Sequence, residues 1–404
     1  MRSAFLAMAL SVAGSALPAH GSGNSLLSES SARSLGSAGA GKETLSESAI
    51  GIFYNPSVGA RSEGTTVAVS GTYLIGVSEF DVTTNFGGQS VGTDFVPAAV
   101  LGTVAIQHSL SSNLAMGLTV GPSFGLSVDY PEAWSAGALV TQAELTQIAI
   151  SPVLSWQPGN GLAIGIAPIL EIGALDYRSN TPFGSVTRSY DRSIALGVLL
   201  GAHVKLASET ELGLTFRYSP DHSYRGQRSG LLPSRSRIDI DSPNVLSLGI
   251  RQALTSDFAL LASTSWFGWS DTQQQIIIEP GAGNTTIARN WRDGWQLSLG
   301  FEYDLSSKIS IRSGFAYSNN FIPASRRVPD APFDAQKRFG AGLSYRMTGD
   351  RSWDFAYGFN DLGQNKLHLS GADYGGLSST GQLDFTGHVF SMQYNMSLND
   401  LPGN

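Results

Sequence analysis

Strict two-residue alternation is the feature that most limits what this chain can fold into. Between residues 290 and 338, Trp295, Leu297, Leu299, Phe301, Tyr303 and Leu305 alternate with Gln296, Ser298, Gly300, Glu302 and Asp304. Side chains of a strand point to opposite faces at every step, so this is a strand with one apolar and one polar face. Ser306 and Ser307 form a short turn, and the alternation resumes through Ile309, Ile311, Phe315 and Tyr317. A long polar loop with Pro323, Pro329 and Pro332 follows, then a strand carrying Phe339, Ala341, Leu343 and Tyr345. A tight turn at one end and a long loop at the other is the rhythm of a transmembrane β-barrel.

The same pattern recurs along the chain. Segments near 64–77, 94–110, 113–130, 139–156, 161–177, 187–206, 211–220, 238–253 and 257–279 precede the three just described, and 353–367 and 387–398 follow. That makes about fourteen strands, an even number as bacterial barrels require. The stretch 221–237, rich in Arg and Ser, is expected as an external loop. Such segments exceed the ~5–6 residues usual in a soluble sandwich and suit a tilted bilayer crossing of ~9–11 residues plus a rim. Tyr73, Trp156, Tyr177, Trp266, Trp269, Trp295, Tyr303 and Trp353 are expected in interfacial girdles.

Composition agrees. Charged residues are only 14% of the 404 residues, against roughly 25% in soluble domains. Hydrophobic residues reach 42%, yet past the N-terminus no run approaches the length of a membrane helix. Cys is absent, which suits an oxidising periplasm. A net charge of −7 argues against a nucleic-acid partner.

Residues 1–21 read as a signal peptide, with Arg2 ahead of an apolar stretch and small residues after Pro18. Residues 22–60 are rich in Ser, Gly and Ala and show no alternation. They are expected as a compact plug, with the barrel over 61–404. Gly36 to Lys42 fits part of a phosphate loop, but Glu43 stands where a Ser or Thr should bind Mg²⁺, so nucleotide binding is rejected. In the third strand, Gly121-Pro122-Ser123-Phe124-Gly125 matches a nucleophile-elbow pattern. An acidic, aromatic loop follows it instead of a helix, and the six His show no metal or catalytic spacing. No enzyme activity, metal or cofactor is expected. Pro122 cannot donate to a ladder and the glycines weaken pairing, so local interruption of the third strand is expected at Gly121, Pro122, Phe124 and Gly125.

Four stretches taken in order resemble the FadL/TodX family of outer-membrane transporters. They are ESSARSLGSAGAG at 29–41, YNPS at 54–57, WFGWS at 266–270, and the run from NWRDGW at 290–295 through Pro323, Arg327, Pro329, Asp334 and Arg338. The resemblance implies a fourteen-strand barrel of the Gram-negative outer membrane. It also implies an N-terminal hatch inside, passive uptake of long-chain fatty acids or hydrocarbons, and sideways exit through a kinked third strand. It makes Asn55 and Pro56 candidates for gating. Head-group contacts are expected among Arg217, Arg312, Arg327 and Arg338. The partners expected are a hydrophobic ligand, outer-membrane lipid and lipopolysaccharide, with the chain a monomer. A general porin for small polar solutes is the alternative. Two departures from the family pattern bear on the ligand: a short loop at 178–186 tells against an outer ligand groove, and Glu171, Ile172 and Leu175 where a basic residue is common favour a neutral ligand.

Overall fold

A computed structural model describes residues 29–399 except 160, 182, 183, 207, 208 and 349. The signal-peptide reading therefore falls outside the described residues. Among them, twenty strands form one antiparallel sheet. Fourteen are barrel staves: β1 (Thr65–Thr84), β3 (Ala99–Ser111), β4 (Leu114–Asp129), β5 (Gln142–Gly159), β6 (Leu162–Thr181), β8 (Ser193–Lys205), β9 (Thr210–Tyr218), β12 (Val245–Ala253), β13 (Phe258–Phe267), β16 (Gly294–Asp304), β17 (Ile309–Ser318), β18 (Gln336–Arg346), β19 (Arg351–Leu369) and β20 (Ser379–Ser397). The first pairs the last from Thr66↔Ser397 to Thr84↔Ser379, which closes the barrel.

The expected alternation sorts the two surfaces. Trp295, Leu297, Leu299, Phe315, Tyr317 and Phe339 are exposed on the outer wall, whereas Gln296, Ser298, Arg312, Ser318, Gln336 and Arg338 are buried inside. Tyr73, Trp156, Trp295 and Tyr303 face outward as a girdle requires. Tyr177 and Trp269 do not: they are 7% and 2% exposed and point inward.

Six further strands build on this frame: β2 (Gly88–Thr93), β7 (Gly184–Tyr190), β10 (His222–Ser229), β11 (Ser234–Ile240), β14 (Gln274–Ile278) and β15 (Thr285–Ala288). β2 folds back on β1. The others continue from β6 through β7, β10, β11, β14 and β15 as a meander at the long-loop end. Two expectations are corrected here. Much of the region expected as a loop at 221–237 is paired strand, and the segments expected at 187–206 and 257–279 each divide into a stave and a strand of the meander. Polar stretches such as HSYRGQRS lack a one-sided apolar pattern, so only backbone pairing reveals them as strands.

Residues 29–61 lie inside the barrel and most are buried. They contain two short helices, α1 (Ala32–Gly36) and α2 (Gly51–Tyr54), and 3₁₀ turns at Lys42–Thr44 and Val58–Arg61. Ser31 caps α1 by accepting a hydrogen bond from Ser34 N at 3.2 Å. The wall receives this segment on glycines. Gly300, Gly314, Gly340 and Gly358 are successive partners across β16 to β19, forming one row. A Cβ on Gly314 would lie 2.5 Å from Ser37 C, and one on Gly340 2.8 Å from Ala38 N. Close approach of two backbones is the reason these positions lack side chains.

Candidate functional site: a lumen in layers

The uppermost layer, at the long-loop end, is an apolar cavity of about 80 Å³, partly open to the outside. Its floor and walls come from distant parts of the chain. Leu126, Leu145 and Leu175 form one cross-strand row on β4, β5 and β6. Trp269, from the 3₁₀ turn Trp269–Asp271, stacks on Phe321 at 5.2 Å and meets Trp291 edge-on at 5.0 Å. Phe333 completes this side.

A bulge puts Phe124 and Leu126 into the cavity. The β4–β5 register shifts between Pro122 and Phe124, so Ser123 is extra in its strand. Before it, Met116 and Leu118 at even positions face outward. One inserted residue reverses that parity, and Phe124 and Leu126, also even, line the cavity. The break goes further on the other side. β3 pairs β4 from Ser111↔Leu114 only as far as Val104↔Val120. Beyond that, residues 99–103 of β3 and 121–129 of β4 share no ladder, until Asp129 N donates to Phe95 O at 2.8 Å. Gly121, Pro122, Phe124 and Gly125 all lie in or beside this interruption.

Charged groups in the cavity wall are already engaged or acidic. Arg289 holds Asp330 through two contacts of 2.8 and 2.6 Å, and donates to Gln275 Oε1 at 2.6 Å. Its guanidinium lies 5.5 Å over the Trp291 ring. Asp239 and Asp241 also line the cavity. Burial, then the charges of Asp221, Asp239 and Asp271, holds the Asp241 carboxyl above its ordinary range.

The next layer is polar. Ser247, Ser265, Gln296, Ser318 and Gln336 are successive partners across β12, β13, β16, β17 and β18, all buried and facing inward. They sit one inward-facing step below Val245 and Phe267, roughly 7 Å at the rise of a strand. On the opposite wall, Glu171 accepts from Arg217 at 3.0 Å and is 3.1 Å from His222 Nε2, while Gln147 donates to Tyr224 at 3.3 Å.

The third layer is the N-terminal segment. Asp354 lies 3.2 Å from Arg33 and 3.5 Å from Arg312, accepts from Asn395 at 2.6 Å and is bonded to Ser344. Arg33 also meets Glu47 at 2.9 Å. Asn55 is fully buried: its Nδ2 donates to Glu43 O at 2.8 Å and Ala202 O at 3.1 Å, and its Oδ1 accepts from Ser57 N and Oγ at 3.1 and 2.7 Å. Pro56 O accepts from Ser155 on β5. This pair therefore ties the segment to itself and to two staves. α2 stands behind the interrupted ladder, with Phe53 Cε2 3.0 Å from where a Cβ on Gly121 would lie.

The four arginines expected at the ligand lie apart. Arg217 is held by Glu171, and Arg312 by Glu302, Ser344 and Asp354 beneath the N-terminal segment. Arg327 donates to the carbonyls of Phe333, Lys366 and Ile322 at 2.8, 2.6 and 2.9 Å, which fastens the loop at 319–335. Arg338 belongs to the polar layer. The sequence reading missed Phe333, Arg289 and Asp330 as cavity residues. For Phe333 and Asp330 the one signal is the density of Pro and charge in a long loop; Arg289 follows β15 and has none.

The closed fourteen-stave frame matches known proteins. The family model described as "Outer membrane protein transport protein (OMPP1/FadL/TodX)" matches residues 13–398. The chain belongs to this family. A long-chain fatty acid transport protein of Escherichia coli O6:H1 is 19% identical over 379 residues, covering 81% of this chain and 84% of that one. Outer membrane protein P1 of Haemophilus influenzae is 20% identical over 435 residues, covering 92% and 94%. Among solved structures, a Pseudomonas aeruginosa FadL homologue superposes with a TM-score of 0.80 at 17% identity, covering 91% of this chain and 98% of its own. At these identities the superposition speaks for the fold. This FadL/TodX-family chain is accordingly a transport protein of the Gram-negative outer membrane.

Proposed function

We propose that this protein carries hydrophobic molecules passively inward, hydrocarbons or long-chain fatty acids, and releases them sideways into the membrane between β3 and β4. The observation that carries this reading is the order of the layers. An apolar cavity ends on a buried polar layer, and the interrupted ladder lies beside the boundary. Each CH₂ taken from water gains about 0.8 kcal/mol in the cavity, and would lose that gain on descending among hydrated polar groups. The N-terminal segment obstructs the straight path further down. A side route that stays apolar is the favourable one, and Phe124 lines its start.

Release then requires α2 to move from behind the gap. Asn55 and Pro56 are the gating residues in this reading, because their bonds to β8 and β5 hold α2 in place. The relatives' names support the ligand class: one is a long-chain fatty acid transport protein, and a solved neighbour is a toluene transporter of Pseudomonas putida. We propose further that the chain works as a monomer, since closure satisfies its edges, with its outer wall against lipid and lipopolysaccharide.

The test is deletion of Ser123. The residues that follow it already pair in the regular register with β5. Removing the extra residue straightens β4 without turning Phe124 and Leu126 out of the cavity. In cells lacking their own transporter, uptake of labelled dodecanoate or toluene is expected with the wild-type chain and lost with the deletion, while the barrel still assembles. Free passage of small sugars by the wild-type chain, with neither hydrophobic ligand taken up, would establish the general-porin alternative.

A further inference from the structure

The two faces of the arginine-rich strands β10 and β11 differ in how their charge is met. The strands pair from His222↔Ile240 to Arg228↔Ser234, and their side chains alternate between lumen and exterior. Inside, Arg228 of β10 stands directly across from Arg188 of β7. Like charges in opposite positions destabilise a strand pair, and here Glu279 offsets them, 2.7 Å from Arg188 and 3.1 Å from Arg228. Outside, Arg225 stands directly across from Arg237, and Gln227 across from Arg235. All four are exposed. Arg237 has Asp239 at 2.9 Å. Among the described residues, Arg225 and Arg235 have no ion pair and no side-chain hydrogen bond. Nearby, Asp191 with Arg192, and Asp176 with Arg178, cancel in charge. The outer face thus repeats the inner arrangement with too little carboxylate: three guanidinium groups meet one Asp, on a chain whose net charge is −7.

The height of this face above the lipid names the anion. Asp191 N donates to Arg225 O at 2.8 Å. Ile194, three residues on, opens the lipid-facing row of β8, where Ile194 and Leu196 are 67% and 73% exposed. Three residues of extended chain span about 10 Å. Tyr218, half-exposed at the top of β9, marks the same boundary where the chain runs on into β10. The headgroup zone above the hydrocarbon is roughly 5–8 Å deep, and a long arginine side chain at 225 reaches down into it.

We propose that the outer face of β10 and β11 binds the phosphate groups of lipopolysaccharide, the anionic lipid of the outer leaflet, through Arg225, Arg235 and Arg237 with the Gln227 amide between them. A planar guanidinium meets two phosphate oxygens at once. A phosphate between Arg225 and Arg237 does for the outer face what Glu279 does for the inner one. The site is independent of what the channel carries. It still bears on the lumen, because Tyr224 and Ile238, on the other face of the same two strands, pack around the cavity. Lipid held outside therefore steadies the cavity wall.

The test titrates the full chain, folded in detergent micelles, with bisphosphorylated lipid A, with the same lipid stripped of its phosphates, and with inorganic phosphate. Native mass spectrometry counts what is bound. The wild type is expected to bind the phosphorylated lipid at least about tenfold more tightly than the stripped one, with the preference shrinking as salt rises. Arg225→Gln combined with Arg235→Gln should bring the two lipids within about twofold of each other. Binding of the stripped lipid, and the heat-dependent gel shift of a folded barrel, should stay as in the wild type. Arg225→Lys combined with Arg235→Lys should keep part of the preference, since the charge remains and the fork is lost. Arg225→Gln alone should halve it or more, which covers the case in which the double Gln variant does not fold. Equal binding of both lipids by the wild type would overturn the site, as would an unchanged preference in the Gln variants. Inorganic phosphate bound as tightly as the phosphorylated lipid would overturn lipopolysaccharide as the occupant.

Discussion

Replacing Gly314 by Ala should loosen the N-terminal segment without harming the barrel. In a strand with ordinary negative φ, Gly→Ala taken alone stabilises by about 0.4–1 kcal/mol, by restricting the unfolded chain. Gly314 is not among the residues with positive φ, so that gain applies. Against it stands the backbone of Ser37. The new methyl would lie 2.5 Å from Ser37 C, nearer still to Ser37 O, and 3.0 Å from Leu299 O. Real Cβ contacts essentially never fall below 3.0 Å, so the Ser37 peptide must retreat by at least half an ångström. Its neighbours are seated on the same row, Ala40 Cβ 3.2 Å from where a Cβ on Gly300 would lie and Ala38 N 2.8 Å from one on Gly340. Overpacking of this kind costs about 1–3 kcal/mol, which outweighs the gain, and the cost falls on docking of residues 32–41. The assay is single-channel conductance in a planar bilayer, with limited proteolysis beside it. The variant should show openings and cleavage that the wild type lacks. Gly71→Ala is the control: a Cβ there meets nothing within 4 Å, so it should behave as wild type. Unchanged conductance and protease resistance for Gly314→Ala, in a folded barrel, would refute the claim that the glycine row is the seat of the segment.

Two other outcomes follow from the charges. Arg289→Met strands Asp330, which is 5% exposed, without its partner. Breaking a buried pair from one side costs about 3–5 kcal/mol, so hydrogen exchange of the loop at 319–335 should quicken sharply, and adding Asp330→Leu should restore much of the protection. For Asp241, burial and the neighbouring Asp221, Asp239 and Asp271 raise the folded-state pKa above the unfolded value. The native carboxyl binds its proton first, so the contribution of Asp241 to loop stability is fully present below the ordinary Asp value and is lost as pH rises through the raised one. Asp241→Asn should therefore slow exchange in the loop at 230–244 at pH 8, and make little difference at about pH 3, below the ordinary Asp value.

Legibility from sequence followed the range of the interactions involved. Alternation depends only on neighbouring residues, so Trp295 to Leu305 declared a stave and its lipid face without any knowledge of partners. The same local rule was enough for fourteen staves, for the outer-membrane frame and for an unusual third strand at Pro122. It failed where pairing is polar, as in His222–Ser229, since backbone hydrogen bonds leave no hydropathy signal. It also misdirected Tyr177 and Trp269, because an aromatic near a strand end suits a girdle and a cavity equally.

Only the tertiary structure decided which polar groups are consumed. Arg217, Arg312, Arg327 and Arg338 are equivalent on paper. Their fates depend on carboxylates and carbonyls at Glu171, Asp354 and Lys366, brought near by closure of the barrel and register across its staves. The role of Ser123 was hidden for the same reason, because a bulge exists only relative to the strand beside it. The glycines had a local meaning too, as weak strand formers; that four of them make a continuous seat for residues 35–40 follows from the alignment of β16 to β19. Periodicity is a property of one strand, and so the sequence carried the architecture. Complementarity is a property of pairs distant in the chain, and so the layers of the lumen waited on the fold.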